Sequence, residues 1–502
     1  MGRWKFLSVL IFLVTVIIIR DVRKSDASSY RAAVVEFKPY TRPLSLIPCS
    51  KQEAQDAMMK NVESFEGFVK EAHTHGVQII VFPEDGVTGA KFATKITRYP
   101  YMEQIPDPSE GVNPCLNNKY QDRPVLHKLS CMARQYEMVL IANVGDTQPC
   151  TSDSDPSCPQ NGHYQYNTDI VLGADGKLLT KYHKTHLFDA EAWSLDFPPS
   201  LEVVTFQTSF GIFGIFTCYD ILFCDPPFDL IQKGMKNIIF PTFWGSLYPF
   251  YISAHLQQGW SWRTGVNFLG ANQHNIKKNA GDFYATGSGI YSAGYPLSYY
   301  LTGATFNEPF GALSIADVPL EPLSEPLPVV NGVIANVSDI LMKTAYINYT
   351  NHVLTEPSGY VKVSYRNDDL NIAITCELDY KLDSTEDDVY AFTAAVMKED
   401  ENPHNNLAYA ICSLVKCNDR TSCGVDLHST GYKTSTTFTK LSIAGNFSTE
   451  SVVIPTVVGN ELMLLSPSLF SLSDSSLVLK KSNGVNLLSA NLWTRVGKKC
   501  SL

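Results

Sequence analysis

Three short segments of this 502-residue chain carry side chains whose types and order suit amide chemistry. The first is Val81-Phe82-Pro83-Glu84-Asp85-Gly86. The second is Lys181-Tyr182-His183-Lys184-Thr185-His186-Leu187-Phe188, and the third is Phe213-Gly214-Ile215-Phe216-Thr217-Cys218-Tyr219-Asp220. Cutting a carbon–nitrogen amide bond needs a nucleophile, a base for its proton and a group that stabilises the oxyanion. A thiol with an ordinary pKa near ~8.5 is mostly protonated at neutral pH, so it needs a cation or a base beside it. Cys218 is the candidate nucleophile. Glu84 could take its proton and later pass it to the leaving amine. Lys184 would favour thiolate and bind the developing negative charge. Each residue also has a plainer role: Glu84 as a turn carboxylate that caps the next segment, Lys184 as a surface lysine, Cys218 as a buried inert thiol or half of a disulfide. What favours chemistry is their joint presence in the order Glu, Lys, Cys, each after a strand.

The elements that must position these residues follow from hydrophobic periodicity. Arg31 to Glu36 is apolar and β-branched, suited to a buried strand. Lys51 to His75 reads as an amphipathic helix with Met58, Val62, Phe65 and Val69 at helical spacing, stopped at Gly76. Val77 to Phe82 then reads as a central strand, so strand, helix and strand form an α/β unit. Pro124 to Tyr136 suits a helix and Met138 to Asn143 a strand. Tyr164 to Leu172 and Leu178 to Tyr182 flank the turn Ala174-Asp175-Gly176. Phe210 to Thr217, Ile238 to Phe240 and Asn267 to Ala271 read as strands, with a helix over Ser253 to Arg263. All three chemical segments fall at strand ends, where ligands gather in α/β sheets.

The length predicts more than one domain. An α/β domain is expected over residues 28–310. A linker over 311–329 is expected to lack regular structure, because Pro319, Pro322, Pro326 and Pro328 punctuate it. From 330 to 502 short β-rich runs dominate: Tyr360–Tyr365, Asn371–Cys376, Val389–Ala394, Leu407–Leu414, Thr436–Ile443, Ser451–Val457 and Val485–Leu492. A β-sandwich or similar all-β domain fits that spacing.

The three segments, in this order and spacing, resemble the nitrilase superfamily, whose members use a Glu–Lys–Cys triad on an α-β-β-α sandwich. The likeness is closer to its vanin and biotinidase branch, the pantetheinases and biotinidases. Pro83 to Gly86, Tyr164-Gln165-Tyr166-Asn167-Thr168, Tyr182 to Lys184, Gly214 to Phe223, Val266 to Leu269 and Thr286 to Tyr291 all look like that branch's blocks. Ile411-Cys412, Cys417 and Cys423-Gly424 resemble its β-rich C-terminal domain. The resemblance implies Glu84 as general base, Lys184 as the oxyanion-side cation, Cys218 as nucleophile, and Glu191 as an accessory glutamate that positions substrate or lysine. A solvated loop carboxylate is the alternative for Glu191. It further implies a small-molecule amide substrate, with pantetheine first and biocytin or a biotinyl amide second, and no metal or organic cofactor. Tyr182-His183-Lys184 is closer to the pantetheinase form, whereas Thr242 to Leu247 departs from the branch at the expected pocket wall. Two rivals remain: a catalytically silent binding or adhesion protein, and acyl transfer to an amine in place of hydrolysis.

Residues 1–27 read as a signal peptide, with Arg3 and Lys5 before the apolar run Phe6–Ile19 and small residues at Ser25-Asp26-Ala27. Arg20, Arg23 and Lys24 interrupt that pattern, so an uncleaved signal anchor, and with it a membrane association, is the alternative. The polar, basic Arg495–Leu502 does not fit a GPI signal. Twelve cysteines behind such a leader, with sequons at Asn336, Asn348 and Asn446, predict a secreted, disulfide-bonded glycoprotein. If Cys218 stays free, an odd number of cysteines remains, and Cys224 is the natural candidate for a second unpaired thiol. Cys115 with Cys131 and Cys150 with Cys158 would make compact bridges. For Cys412, Cys417 and Cys423, disulfides are favoured over metal binding. A net charge of −10 without a long basic run argues against nucleic acid. His73 and His75 do not share a helical face, so a solvated helix end is favoured over a metal pair. His183 and His186 could suggest a Cys–His enzyme, but that leaves Pro83-Glu84 without a role.

Overall fold

The computed structural model describes residues 28–502 apart from 90–91, 277–283, 305–309, 328–329, 337–342, 345–348, 384–387, 400–406, 420–431, 449–450, 481–483, 497–499 and 501. The expected signal peptide, Asn348 and Cys423 therefore lie outside the described residues; Asn336 and Asn446 are exposed.

The first apolar run forms β1 (Ser29–Lys38). Ser50 then caps α1 (Lys51–Thr74): its hydroxyl accepts the Glu53 N–H, and the Glu53 carboxylate accepts the Ser50 N–H. Two donors that the first turn would leave unpaired are satisfied in this way. Ala54, Met58, Val62, Phe65, Val69 and Ala72 form the buried face of the helix. Gly76, at φ 70°, reverses the chain into β2 (Ile79–Val81). After α2 (Pro124–Gln135) come β3 (Val139–Pro149), β4 (His163–Leu172) and β5 (Leu178–His183). Next are β6 (Thr205–Thr208), β7 (Gly211–Ile215), α3 (Pro227–Gln232), β8 (Asn237–Thr242), α4 (Ser253–Thr264) and β9 (Asn267–Asn272). β10 (Ser288–Ser292), β11 (Tyr295–Thr302), β12 (Phe310–Pro319) and β13 (Asn331–Ala335) complete the α/β part.

These strands form two sheets. One has the order β12-β1-β2-β3-β4-β5, and the other β13-β11-β10-β9-β8-β7-β6. Alternation along each strand separates two cores. Val34, Val81 and Ile141 from the first sheet meet Ile215, Ile239 and Leu269 from the second. On the other face of the first sheet, Val35, Ile80 and Leu140 pack against Phe65, Val69, Leu126 and Leu129 of α1 and α2. With Leu256 and Trp260 of α4 covering the second sheet, the result is the expected α-β-β-α sandwich.

The segment expected to be an irregular linker begins instead with strand β12, paired antiparallel with the whole of β1 from Ser29↔Pro319 to Lys38↔Phe310. Between Phe310 and Val318 there is no proline, and alternation is kept: Leu313 and Ile315 face the helix-side core, Ala316 and Val318 the inter-sheet core. Pro319 stands only at the strand's end, where proline is tolerated. β13, beyond the expected linker, pairs with β11.

The C-terminal strands are β14 (Tyr349–Val353), β15 (Ser358–Asn367), β16 (Ile372–Asp383), β17 (Val389–Glu399), β18 (Leu407–Cys417), β19 (Thr437–Gly445), β20 (Ile454–Gly459), β21 (Phe470–Leu472), β22 (Ser476–Leu479) and β23 (Val485–Val496). β23 pairs with β18 along most of its length and with β19 at its start. One curved sheet of order β14-β17-β18-β23-β19-β16-β15 therefore replaces two separate layers, and β15 packs back against β17 to give a near-closed antiparallel barrel.

The two parts are tightly joined. Tyr248 Oη donates to the Leu488 carbonyl at 2.6 Å, and Asn491 Nδ2 to the Pro249 carbonyl at 3.2 Å. Gly259 of α4 lies so close to β20 that a Cβ there would run into the Pro455 carbonyl. Cys224 is bonded to Cys500, which corrects its expected free state. β23 brings the C-terminal tail back, with Arg495 over the Phe223 ring, so a partner remote in sequence is adjacent in space. Cys115–Cys131 and Cys150–Cys158 form as expected. Cys376–Cys412 is a fourth bridge, and Cys417 is also disulfide-bonded, so Cys412 and Cys417 are not metal ligands. Among the described residues the free thiols are Cys218 and the half-buried Cys49. No described helix is long and apolar enough to cross a membrane.

Candidate active site

The three segments converge in the crevice between the two sheets. Glu84 follows β2, Lys184 follows β5 directly, and Cys218 follows β7, with Thr242 at the end of β8 beside it. Open α/β sheets bind ligands beyond such strand ends. All three side chains are buried.

Lys184 Nζ donates to Glu84 Oε1 at 2.7 Å and to Glu191 Oε2 at 2.5 Å. Glu191 sits on the 3₁₀ turn Asp189–Trp193, where its carboxylate also accepts the Phe188 N–H at 2.8 Å. The accessory glutamate named from sequence is thus a bonded neighbour of the lysine and not a solvated loop residue. The second oxygen of Glu84 accepts the Phe243 N–H at 2.9 Å, so the segment expected to wall the pocket does border the site.

Cys218 opens a 3₁₀ turn at φ 46°, a left-handed conformation that strains a non-glycine residue by roughly 1–3 kcal/mol. Asp220 holds that turn. Its carboxylate accepts the Thr217 N–H at 3.0 Å, the Tyr182 hydroxyl at 2.7 Å and the His186 N–H at 2.8 Å, tying the cysteine turn to the lysine loop.

Burial pushes the Glu84 carboxyl up, Lys184 pulls it down, and Glu191 and Asp85 push it up again, leaving it at about 7. Burial would lower Lys184, yet the Glu191 and Glu84 carboxylates hold it well above its ordinary value. The Cys218 thiol is held well above the usual range, first by burial and then by Glu84; Lys184 and the Thr242 side chain oppose this and lose. Lys184 does act on the thiol in the direction of thiolate, but burial, the largest influence, together with Glu84 outweighs it. The arrangement therefore stores a neutral thiol beside a carboxyl half-ionised near neutrality, which suits proton transfer at the moment of attack.

Both neighbouring histidines are hydrogen-bonded to carboxylates other than Glu84 and Glu191. His183 bridges Glu202 (2.8 Å) and Asp146 (3.0 Å), and His186 Nδ1 faces Asp220 at 2.9 Å. The largest influences on the Cys218 thiol besides burial come from Glu84, Lys184, Thr242 and Glu191. Among the described residues no cluster of His, Cys, Asp or Glu is placed to hold a metal ion.

Sequence reasoning gave no role to Asn143, Asn167 and Asp169. Asn167 Nδ2 donates to Glu84 and to Glu191, both at 2.8 Å, and Asp169 accepts the Thr217 hydroxyl at 2.6 Å. A signal was present: Gln165, Asn167 and Asp169 alternate along one face of β4, and all are buried. Polar residues at every second position of a buried strand mark a polar cleft.

The Carbon-nitrogen hydrolase family profile matches residues 44–292, a range that holds Glu84, Lys184, Glu191 and Cys218, and the Vanin C-terminal domain profile matches residues 340–499. The chain is 36 % identical to pantetheinase of Bos taurus, over 95 % of this chain and 92 % of that protein. The chain belongs to the carbon–nitrogen hydrolases, in their vanin branch. Pantetheinase of Homo sapiens is 32 % identical over 98 % of this chain and 93 % of that protein. Biotinidase of Takifugu rubripes is also 32 % identical, over 93 % and 94 %. This carbon–nitrogen hydrolase is thus a nitrilase-superfamily amidohydrolase by family, and its several disulfides fit an extracellular or secretory setting.

Proposed function

We propose that this chain is a secreted amidase that hydrolyses pantetheine to pantothenate and cysteamine through a thioester on Cys218. The observation that carries the reading is the buried Glu84–Lys184 pair beside the Cys218 thiol, in a chain whose full-length relatives include pantetheinases. As substrate enters, the Cys218 proton passes to Glu84 and the sulfur attacks the amide carbonyl carbon. Lys184 stabilises the resulting oxyanion. Glu84 returns the proton to the departing nitrogen, the carbon–nitrogen bond breaks, and cysteamine leaves an acyl thioester. Water, losing a proton to Glu84, attacks that thioester and releases the acid and the thiol. Glu191 holds Lys184 in place throughout.

A biotinidase-like preference for biocytin is the second reading, supported by the similarity to the Takifugu rubripes protein. Turnover of pantetheine and biocytin side by side, with Cys218→Ser as control, separates the two. Cysteamine release lost in the variant supports the first reading, and lysine release the second. Silence on both, with no labelling of Cys218 by a thiol probe, would overturn the enzyme reading.

A further inference from the structure

One backbone N–H sets the orientation of a chain of side chains behind the candidate site. The Asp85 N–H, which can only donate, is accepted by Asn143 Oδ1 at 2.8 Å. Asn143 must then turn its Nδ2 the other way, where it donates to Asn167 Oδ1 at 2.6 Å and to Asp169 Oδ1 at 2.8 Å. With its oxygen so engaged, Asn167 presents its own Nδ2 to Glu84 Oε1 and Glu191 Oε1. Flipping either amide would set donor against donor or acceptor against acceptor. Asp169 closes the circuit by accepting from Thr217, the residue before Cys218.

We propose that Asn167 is a positioning residue for the reaction: its oriented amide holds the Glu84 and Glu191 carboxylates on either side of the Lys184 ammonium, so that Glu84 stays available as the proton acceptor. This rests on the reading of Glu84, Lys184 and Cys218 given above. Without Asn167, each carboxylate keeps one backbone donor, Phe243 N–H for Glu84 and Phe188 N–H for Glu191, but Lys184 alone is left to bridge the two. The charged and titratable groups around the amide and the two carboxylates include Lys184, Asp85, Arg98, Asp169 and Cys218. Because Asn167 donates to the ionised form of Glu84, losing it makes that form harder to reach in a site already dominated by burial.

The test compares full-length wild type, Asn167→Leu, Asn167→Ala and Glu84→Gln. The rate of iodoacetamide alkylation at the Cys218 peptide is followed by mass spectrometry from about pH 5 to pH 9, with melting temperature measured alongside. This probe needs no assumption about substrate, and its acid limb follows ionised Glu84 as hydrolysis does. The wild-type limb is expected near pH 7. In both Asn167 variants it should move up by about one unit, making alkylation at pH 7 about fivefold slower. Asn167→Leu keeps the branched shape and adds no charge, so it reads out the amide even if Asn167→Ala fails to fold. A purely structural role would lower the melting temperature and leave the limb in place. An unmoved limb in the Asn167 variants, with the limb abolished in Glu84→Gln, overturns the positioning role alone. An unmoved limb in Glu84→Gln overturns the reading of Glu84 itself, and the positioning role with it.

Discussion

The Lys184 ammonium and the Glu84 carboxylate lie 2.7 Å apart, with side chains only 1 % and 2 % exposed. Neither charge has water as an alternative partner, and a buried pair of this kind seldom repays its desolvation in stability. A pair that adds little to stability fits the proposed catalytic role, and with Glu191 on the far side of the ammonium, two carboxylates share one cation.

Lys184→Ala strands Glu84 and Glu191 without a cation. Breaking a buried pair from one side typically costs about 3–5 kcal/mol. In denaturant unfolding the variant should be less stable by about that amount, and it should be inactive. Unchanged stability would mean that the two carboxylates do not depend on Lys184.

Glu84→Gln keeps the shape of the side chain and removes the base. Turnover should fall by about 10²–10⁴-fold. In the wild type, activity should rise with pH through about 7 as Glu84 ionises. A wild-type rate independent of pH between about 5 and 8 would contradict this assignment.

Asp169 gives a stability prediction with a definite sign. Burial pushes its carboxyl up to about 7, against the hydrogen bonds from Thr217 and Asn143. A folded value above the unfolded one means that the native state holds an extra proton between the two. The stability contribution is fully present below about pH 4 and lost as pH rises through 7. Asp169→Asn cannot titrate, so it should lose less stability than wild type between pH 5 and pH 8, by on the order of 2–4 kcal/mol. Denaturant midpoints at the two pH values check it, and parallel losses would contradict it.

Much of this was legible in the chain itself. The run Val77–Phe82 and the Pro83-Glu84 that ends it, the turn at Ala174-Asp175-Gly176, and the apolar stretch before Cys218 announce strands locally, and local signals survive folding. What stayed hidden depends on partners distant in sequence. β12 looked like linker because prolines surround it, and only its pairing with β1 makes it a strand. Cys224 looked unpaired because its nearest sequence neighbour is the free Cys218, whereas Cys500 reaches it through the barrel. Asn167 lay inside a recognised motif, but its role depends on Asn143 and Glu84, which arrive on other strands.

The Cys224–Cys500 bridge closes a loop across 276 residues of sequence and pins the tail beside the cysteine turn. Cys500→Ser should lower stability by about 2–5 kcal/mol. Turnover should fall further than stability alone explains, because the turn bearing Cys218 loses its tether. Wild-type turnover at a temperature where the variant is folded would contradict that link.

The most direct test of the central claim is rapid acid quenching of the enzyme during pantetheine turnover, followed by mass mapping of its cysteine peptides. A pantothenoyl thioester on the Cys218 peptide, absent from Cys49 and from Cys218→Ala, is the predicted result. Undiminished turnover in Cys218→Ala, or an acyl group carried by another residue, would contradict it.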